Sequence, residues 1–384
     1  MIEKRRKKFD LLAIVLLGMI GLVACGDGEA NPFPESIELA IEQAELHIAL
    51  TVPGIAIAIV DIENDFAWTA GFGYADTINE RLVTADTQFS LMSVSRVYVA
   101  ITVMQLVEQG LIDLDAPIIT YLPNFSMLGN YQDITVRMLL THTAGLAFDY
   151  SIWHDMDGFD WYDRYFLDRL STQTLQYAPG TGSTYSLLGT ELATMIIAAV
   201  TGYEDSFEAY FNHTWKNIHS RLGMTDSYRP LSEELLPYLA MPYSGRTIQR
   251  TVEFALGSEQ PPWNASANDM VLFMSAILND TRDGTELLLT QDSFLQMFDF
   301  KDFTVNVVGQ REVGLGFLHR IDSSGHSFIG HSGGFQTFYY AEMVFNIESG
   351  IGVFVATNGA SGGAITPRIA EDLLRNAIDE KSGN

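Results

Sequence analysis

Three short segments hold side chains that could carry out covalent chemistry. Ser93-Val94-Ser95-Arg96 opens an almost wholly apolar stretch, Val97 to Val107, so Ser93 stands at the start of a helix bound for the interior. A serine hydroxyl there is a candidate nucleophile, with Arg96 one helical turn further on. Arginine cannot take its proton, because a pKa above about 12 leaves a neutral fraction of roughly 10⁻⁵ or less near pH 7. Tyr185-Ser186-Leu187, shortly after Pro179-Gly180, offers a phenol. Gly330-His331-Ser332-Gly333-Gly334 lies between two segments that read as strands.

The third segment also fits a nucleophile elbow, Gly-x-Ser-x-Gly, with Ser332 as nucleophile. An elbow is followed by a helix, and its histidine comes later in the chain. Here Phe335 to Phe345 reads as strand. The eight histidines are His47, His142, His154, His213, His219, His319, His326 and His331, and none follows Ser332. The elbow reading is set aside. The histidines show no metal-ligand spacing, and no phosphate loop or dinucleotide fingerprint appears, so neither a metal nor a cofactor is expected.

The elements that must position these residues can be read from periodicity. Ser36 can cap a helix carrying Ile37, Ile41, Ala44 and Ile48, which Pro53-Gly54 stops. Ile55 to Ile62 reads as a buried strand, and Phe66 to Tyr74 as its hairpin partner through Glu63-Asn64-Asp65. The helix from Val97 to Val107 is apolar on nearly every face and ends at Gln109-Gly110. Residues 110 to 300 are mostly helical and loop-rich, with Ser266-Ala267-Asn268-Asp269 as a capping box. Tyr150, Trp153, Trp161, Tyr162 and Tyr165, set among acidic residues, read as an aromatic-packed loop or the wall of a cleft. Strands return from Gly314: Leu315 to Ile321, Ser327 to Gly330, Phe338 to Phe345 and Ile351 to Thr357. Thr366-Pro367 then starts a terminal helix to about Ile378. Strands at both ends of a helical middle predict an α+β fold in which both ends share one antiparallel sheet.

Composition narrows the partners. The chain is 47% hydrophobic and 18% charged, a globular balance with ample core for 384 residues. Its formal net charge of -26 and pI near 4.5, with no basic cluster in the body, exclude nucleic acid as a partner. Residues 1–24 read as a leader: a basic run Lys4 to Lys8, then 14 apolar residues from Leu11 to Ala24, too short for a comfortable membrane span. Without that leader the body carries about -29. Leu22-Val23-Ala24-Cys25 resembles a bacterial lipobox, which would make Cys25, the sole cysteine, a lipidated residue. Residues 25–35 then form a tether. The expectation is a protein outside the cytoplasm, periplasmic or cell-surface, held to a bacterial membrane by lipid.

Together the three chemical segments resemble the serine β-lactamase and D-alanyl-D-alanine carboxypeptidase superfamily, in its class C-like branch with esterases and peptidases. Supporting stretches are Met104 to Gly110, Leu140 to Leu146, Leu222-Gly223-Met224-Thr225-Asp226, Asn268-Asp269-Met270 and Gly314-Leu315-Gly316-Phe317. Most of these read as turns and caps, and His142 reads as structural. The resemblance runs from about Ser36 to Ile378 and implies one hydrolase domain over residues 36–380. Its sheet part would be about 36–92 and 301–380, and its helical part about 93–300.

The resemblance also assigns roles. Ser93 matches the nucleophile that forms an acyl-enzyme, and Tyr185 the tyrosine that exchanges a proton with it. His331-Ser332-Gly333 matches the strand motif that lines the site and contacts substrate. The backbone N–H groups of Ser93 and Gly334 would form the oxyanion hole. Two positions depart: Arg96 stands at the family's lysine, and Leu187 at the asparagine of Tyr-x-Asn. Lysine can serve as base when its site lowers its pKa, and a missing general base typically costs about 10²–10⁴ in rate. Leu187 removes an amide that would orient the lysine and bind a substrate's acyl-amide group.

Two readings stay open. In one, Arg96 is a fixed cation that stabilises a Tyr185 phenolate, and the protein cleaves a small-molecule or peptide substrate, esters better than amides. In the other, the fold is kept as a binding module for peptidoglycan-like peptides or a protein partner.

Overall fold

The computed structural model describes residues 31–148, 162–227, 236–244, 248–249, 263–306, 310–334 and 338–383. The strands are β1 (Gly54–Asp61), β2 (Phe66–Asp76), β3 (Arg81–Leu82), β4 (Phe89–Ser90), β5 (Tyr243–Ser244), β6 (Ile248–Gln249) and β7 (Asn264–Ala265). They continue with β8 (Lys301–Asn306), β9 (Gln310–Val313), β10 (Leu318–Ile321), β11 (Ser327–Gly333), β12 (Tyr340–Asn346) and β13 (Ile351–Thr357). Nine of them form one antiparallel sheet in the order β3-β2-β1-β13-β12-β11-β10-β9-β8. The expected sharing of the sheet between the chain ends is its central feature: Ile55 to Asp61 pair with Thr357 to Ile351.

The pleat decides what covers each face. In β1, Ile55, Ile57 and Ile59 enter one core with helices α1 (Pro34–Leu50) and α10 (Gly362–Ser382). Ala56, Ala58 and Val60 enter the other core. There the small side chains let α8 (Ala267–Asp283) lie directly on β1 and β13. The Ser266 hydroxyl caps α8 by accepting from the Asp269 N–H at 3.1 Å, as the capping box predicts.

On the α8 side lies α2 (Ser95–Glu108), in which every residue from Val97 to Leu106 is buried. Each fully buried large apolar side chain contributes about 1.5–3 kcal/mol, so packing on all sides holds this helix in place. Around it stand α3 (Val136–Leu140), α4 (Tyr162–Leu170), α5 (Leu187–Thr201) and α6 (Ser206–Thr214). α6 runs through a π-helical turn, Trp215–His219, into α7 (Ser220–Leu222), and α9 spans Gln291–Met297.

Several boundaries differ from the sequence expectation, each for a local reason. Ser36 lies inside α1 rather than capping it, and its buried hydroxyl donates to Glu380 at 2.6 Å. β10 begins at Leu318, because Gly314 to Phe317 form a turn closed by a 2.9 Å backbone bond with Gly316 at φ 75°. β8 and β9 extend the sheet edge where no strand was expected. β11 continues through Gly333, three residues past the expected end at Gly330, so His331-Ser332-Gly333 lies within the strand itself. α10 starts four residues before Thr366, where Gly362 and Gly363 pack against the Tyr340 ring at distances no Cβ would allow. The aromatic segment from 149 to 161 lies outside the described residues, as do residues 1–30 with the leader and Cys25.

Candidate active site

Ser93 lies in a single 3-10 turn, Met92–Val94, that leads into α2. The preceding residue, Met92, sits at φ 48°, a left-handed conformation that a long side chain adopts only under tertiary constraint. One constraint is visible. A Cβ on Gly333 would come 2.2 Å from the Leu91 carbonyl oxygen and 3.2 Å from Met92 Cβ. Glycine at the end of β11 is therefore what lets the strand press against the serine turn. Gly334 sits at φ 106°, and a Cβ there would meet the Tyr339 carbonyl at 2.5 Å. The two expected oxyanion-hole residues thus stand on adjoining segments.

The Arg96 Nη1 donates to Ser93 Oγ at 2.6 Å, and Arg96 Cζ lies 5.4 Å from the centre of the Tyr185 ring. One guanidinium thus ties the serine to the tyrosine by a charge-assisted hydrogen bond and a cation–π contact. A cation donating to Oγ lowers the energy of an alkoxide there, though it cannot remove the proton. No salt bridge joins Arg96 to a carboxylate among the described residues.

Tyr185 is ringed by imidazoles. Its ring centre is 4.5 Å from His142 and 6.0 Å from His331. Burial, followed by the charge of Arg96, pushes each histidine down to about 3, so both are neutral at ordinary pH. The tautomers follow from their partners. His331 Nδ1 lies 2.8 Å from the Ser332 carbonyl, which can only accept, so Nδ1 carries the proton and Nε2 a lone pair. His142 Nδ1 lies 3.3 Å from the Ser186 N–H, which can only donate, so His142 carries its proton on Nε2.

Ser332 and Leu187 do not stand as expected. Neighbours on a strand face opposite ways. His331 faces Tyr185, whereas Ser332 pairs across the sheet with Glu342 and its hydroxyl bonds the Glu342 carboxyl. That carboxyl is fully buried, and one oxygen finds no hydrogen-bond partner among the described residues. Burial pushes it up to about 7, against the opposing pull of Arg311. The Ser332 hydroxyl thus supports the strand from behind instead of meeting a ligand. Leu187, the first residue of α5, is only 4% exposed, and its N–H bonds the Phe148 carbonyl at 3.1 Å. It contributes a backbone anchor and an apolar filling where the family pattern has an amide. His142, read as structural, is the residue that sequence reasoning left out of the site. Its signal was position within Leu140 to Leu146, a stretch valued only for its turn.

An antiparallel sheet closed by both chain ends, with a serine-bearing helix buried against it, is the β-lactamase/transpeptidase-like fold. A solved β-lactamase/D-alanine carboxypeptidase from Pseudomonas syringae shares it at a TM-score of 0.71, with 18% identity over 88% of this chain and 98% of that one. The β-lactamase family profile matches residues 43–375, and the chain belongs to that family. Over 147 residues it is 36% identical to esterase EstB of Burkholderia gladioli, covering 34% of this chain and 37% of the esterase. It is 28% identical over 191 residues to penicillin-binding protein 4* of Bacillus subtilis (strain 168), covering 47% of this chain and 39% of the relative. The matched stretches span less than two fifths of either relative's length.

Proposed function

We propose that this protein is a serine hydrolase that forms an acyl-enzyme on Ser93 and cleaves activated esters better than amides. The observation that carries the reading is the 2.6 Å bond from Arg96 to Ser93 Oγ, with the same guanidinium over Tyr185. In the proposed cycle Ser93 Oγ attacks the carbonyl carbon while Tyr185, as phenolate under the Arg96 cation, takes the serine proton. The tetrahedral oxyanion faces the N–H groups of Ser93 and Gly334. Collapse breaks the bond to the leaving group, and Tyr185 returns its proton to that group. Water, deprotonated by the same route, then attacks the acyl carbon and frees Ser93.

Ester preference follows from the missing base. A leaving alkoxide or phenoxide needs less proton assistance than an amine, so an Arg96 site loses most on amides. The similarity to an esterase and to a penicillin-binding protein supports an acyl-transfer chemistry. The leader and Cys25 support placement outside the cytoplasm on a lipid anchor; no described helix is long and apolar enough to cross a membrane. The binding-module reading draws its support from the paired replacement at Arg96 and Leu187.

The test is turnover of a nitrophenyl ester beside the matching nitroanilide. Ester hydrolysis above buffer, abolished in Ser93→Ala and exceeding anilide hydrolysis, is the expected result. Ester turnover equal to Ser93→Ala would leave the binding-module reading standing.

A further inference from the structure

Tyr185 has no ordinary secondary structure to hold it. It lies just before α5, in a stretch that is neither helix nor strand. Its neighbours are instead anchored, one after another, to a single facing loop. The Thr184 N–H donates to the His142 carbonyl at 3.0 Å, the Ser186 N–H to His142 Nδ1 at 3.3 Å, and the Leu187 N–H to the Phe148 carbonyl at 3.1 Å. Upstream, the Gly180 N–H reaches the Thr143 carbonyl at 2.8 Å. His142 alone therefore grips the backbone on both sides of Tyr185, once with its main chain and once with its ring. The same ring packs on the phenol at 4.5 Å between centres.

Two further features make His142 unusual for a mere turn residue. Its backbone lies at φ 57°, the left-handed region that side chains other than glycine adopt only under constraint. Its ring is nearly sealed from solvent and neutral, the only state in which Nδ1 can accept from an N–H. A residue strained in its backbone and buried as a neutral acceptor is being used for its geometry.

We infer that His142 is a positioning residue for Tyr185: its carbonyl and Nδ1 clamp the peptides on either side of the phenol and fix its reach to Ser93. The clamp supplies orientation on the flank where Leu187 offers no side-chain amide. This inference rests on the hydrolase reading for its catalytic consequence, and on the geometry alone for the clamp itself.

Two substitutions separate the clamp from the strain. His142→Gly fits the positive φ without penalty and keeps the carbonyl for the Thr184 N–H, but has no side-chain acceptor for the Ser186 N–H. His142→Asn also tolerates that φ, and its Oδ1 can take the Ser186 N–H, although it lacks the ring as glycine does. Each variant is assayed for the rate of fluorophosphonate modification of Ser93, for kcat and KM on a nitrophenyl ester, and for amide hydrogen exchange over 184–187. Expected for His142→Gly is a drop of about 10- to 100-fold in modification rate and kcat, with KM changed little and faster exchange at 184–187. His142→Asn should recover most of the rate and the slow exchange. Equal losses in the two variants, or a glycine variant with parental exchange and reactivity, would overturn the inference. If the parent protein itself gives no adduct and no turnover, the hydrolase reading fails on its own. Hydrogen exchange then decides the clamp: protection in Asn but not in Gly supports it, and equal protection sinks it.

Discussion

The two sides of the cleft are built by different means. On the Ser93 side, a sheet strand presses glycine against the serine turn, and buried α2 fixes the other end. On the Tyr185 side, a stretch outside helix and strand hangs by backbone hydrogen bonds from the loop 142–148. The first is rigid through close packing, the second through a few polar contacts that one residue dominates. The two departures from the family pattern fall one on each side, Arg96 on α2 and Leu187 at the start of α5. In the proposed cycle both replacements touch the handling of the serine proton, whereas the close packing of Gly333 on the serine turn, which places Ser93, involves neither. Under the proposed function, placement of the serine and movement of its proton are therefore separable.

The sharpest way to break the comparison is Gly333→Ala. A methyl aimed at the Leu91 carbonyl must push β11 off the serine turn, since neither backbone can yield cheaply. Ester turnover should fall about 100-fold, and stability by about 1–3 kcal/mol, measured by denaturant titration. Turnover unchanged within twofold would mean that the close approach does not set the site. Next comes the double substitution Arg96→Lys with Leu187→Asn, which restores a group that can lose its proton and an amide to orient it. It should raise kcat/KM on an anilide by about 10-fold or more. An inert double variant would show that more of the proton apparatus is gone than these two positions.

The smallest effect on turnover belongs to the rear of the strand. Glu342 stays protonated up to about pH 7 in the folded protein, while the unfolded chain ionises it from about 4.5. The folded state therefore binds more protons across that interval and loses stability as pH rises through it. Glu342→Gln keeps a hydrogen-bond partner for Ser332 and has no such loss. Its stability relative to the parent should improve between pH 4 and pH 8, by up to about 3 kcal/mol, measured by urea titration. A pH-independent difference would mean that the carboxyl is ionised when buried.

Much of this was legible in the sequence, and the limits are physical. Alternating Ile and Ala in Ile55 to Val60 mark a strand covered on both faces, and unbroken apolarity from Val97 marks a helix with no wet side. Ser93 at that helix start, with Tyr185 and His331 near it, followed from resemblance, and the structure brings the three together. Ser332 was misplaced although the period of two could have corrected it: His331 and Ser332, adjacent on one strand, cannot both face the cleft. Ser36 was misread because its burial against Glu380 depends on a residue at the far end of the chain. His142 was hidden for a related reason. Its role comes from a loop meeting Tyr185 across more than forty positions, and no local pattern records such a meeting.

The central claim is that Ser93 is an activated nucleophile despite Arg96. Intact-mass and peptide mapping after treatment with a fluorophosphonate test it directly, with Ser93→Ala in parallel. One phosphonyl adduct per chain is expected, mapped to Ser93, formed as the serine oxygen displaces fluoride from the reagent, and absent from the alanine variant. A chain that stays unmodified under excess reagent, or carries its adduct elsewhere, would contradict it.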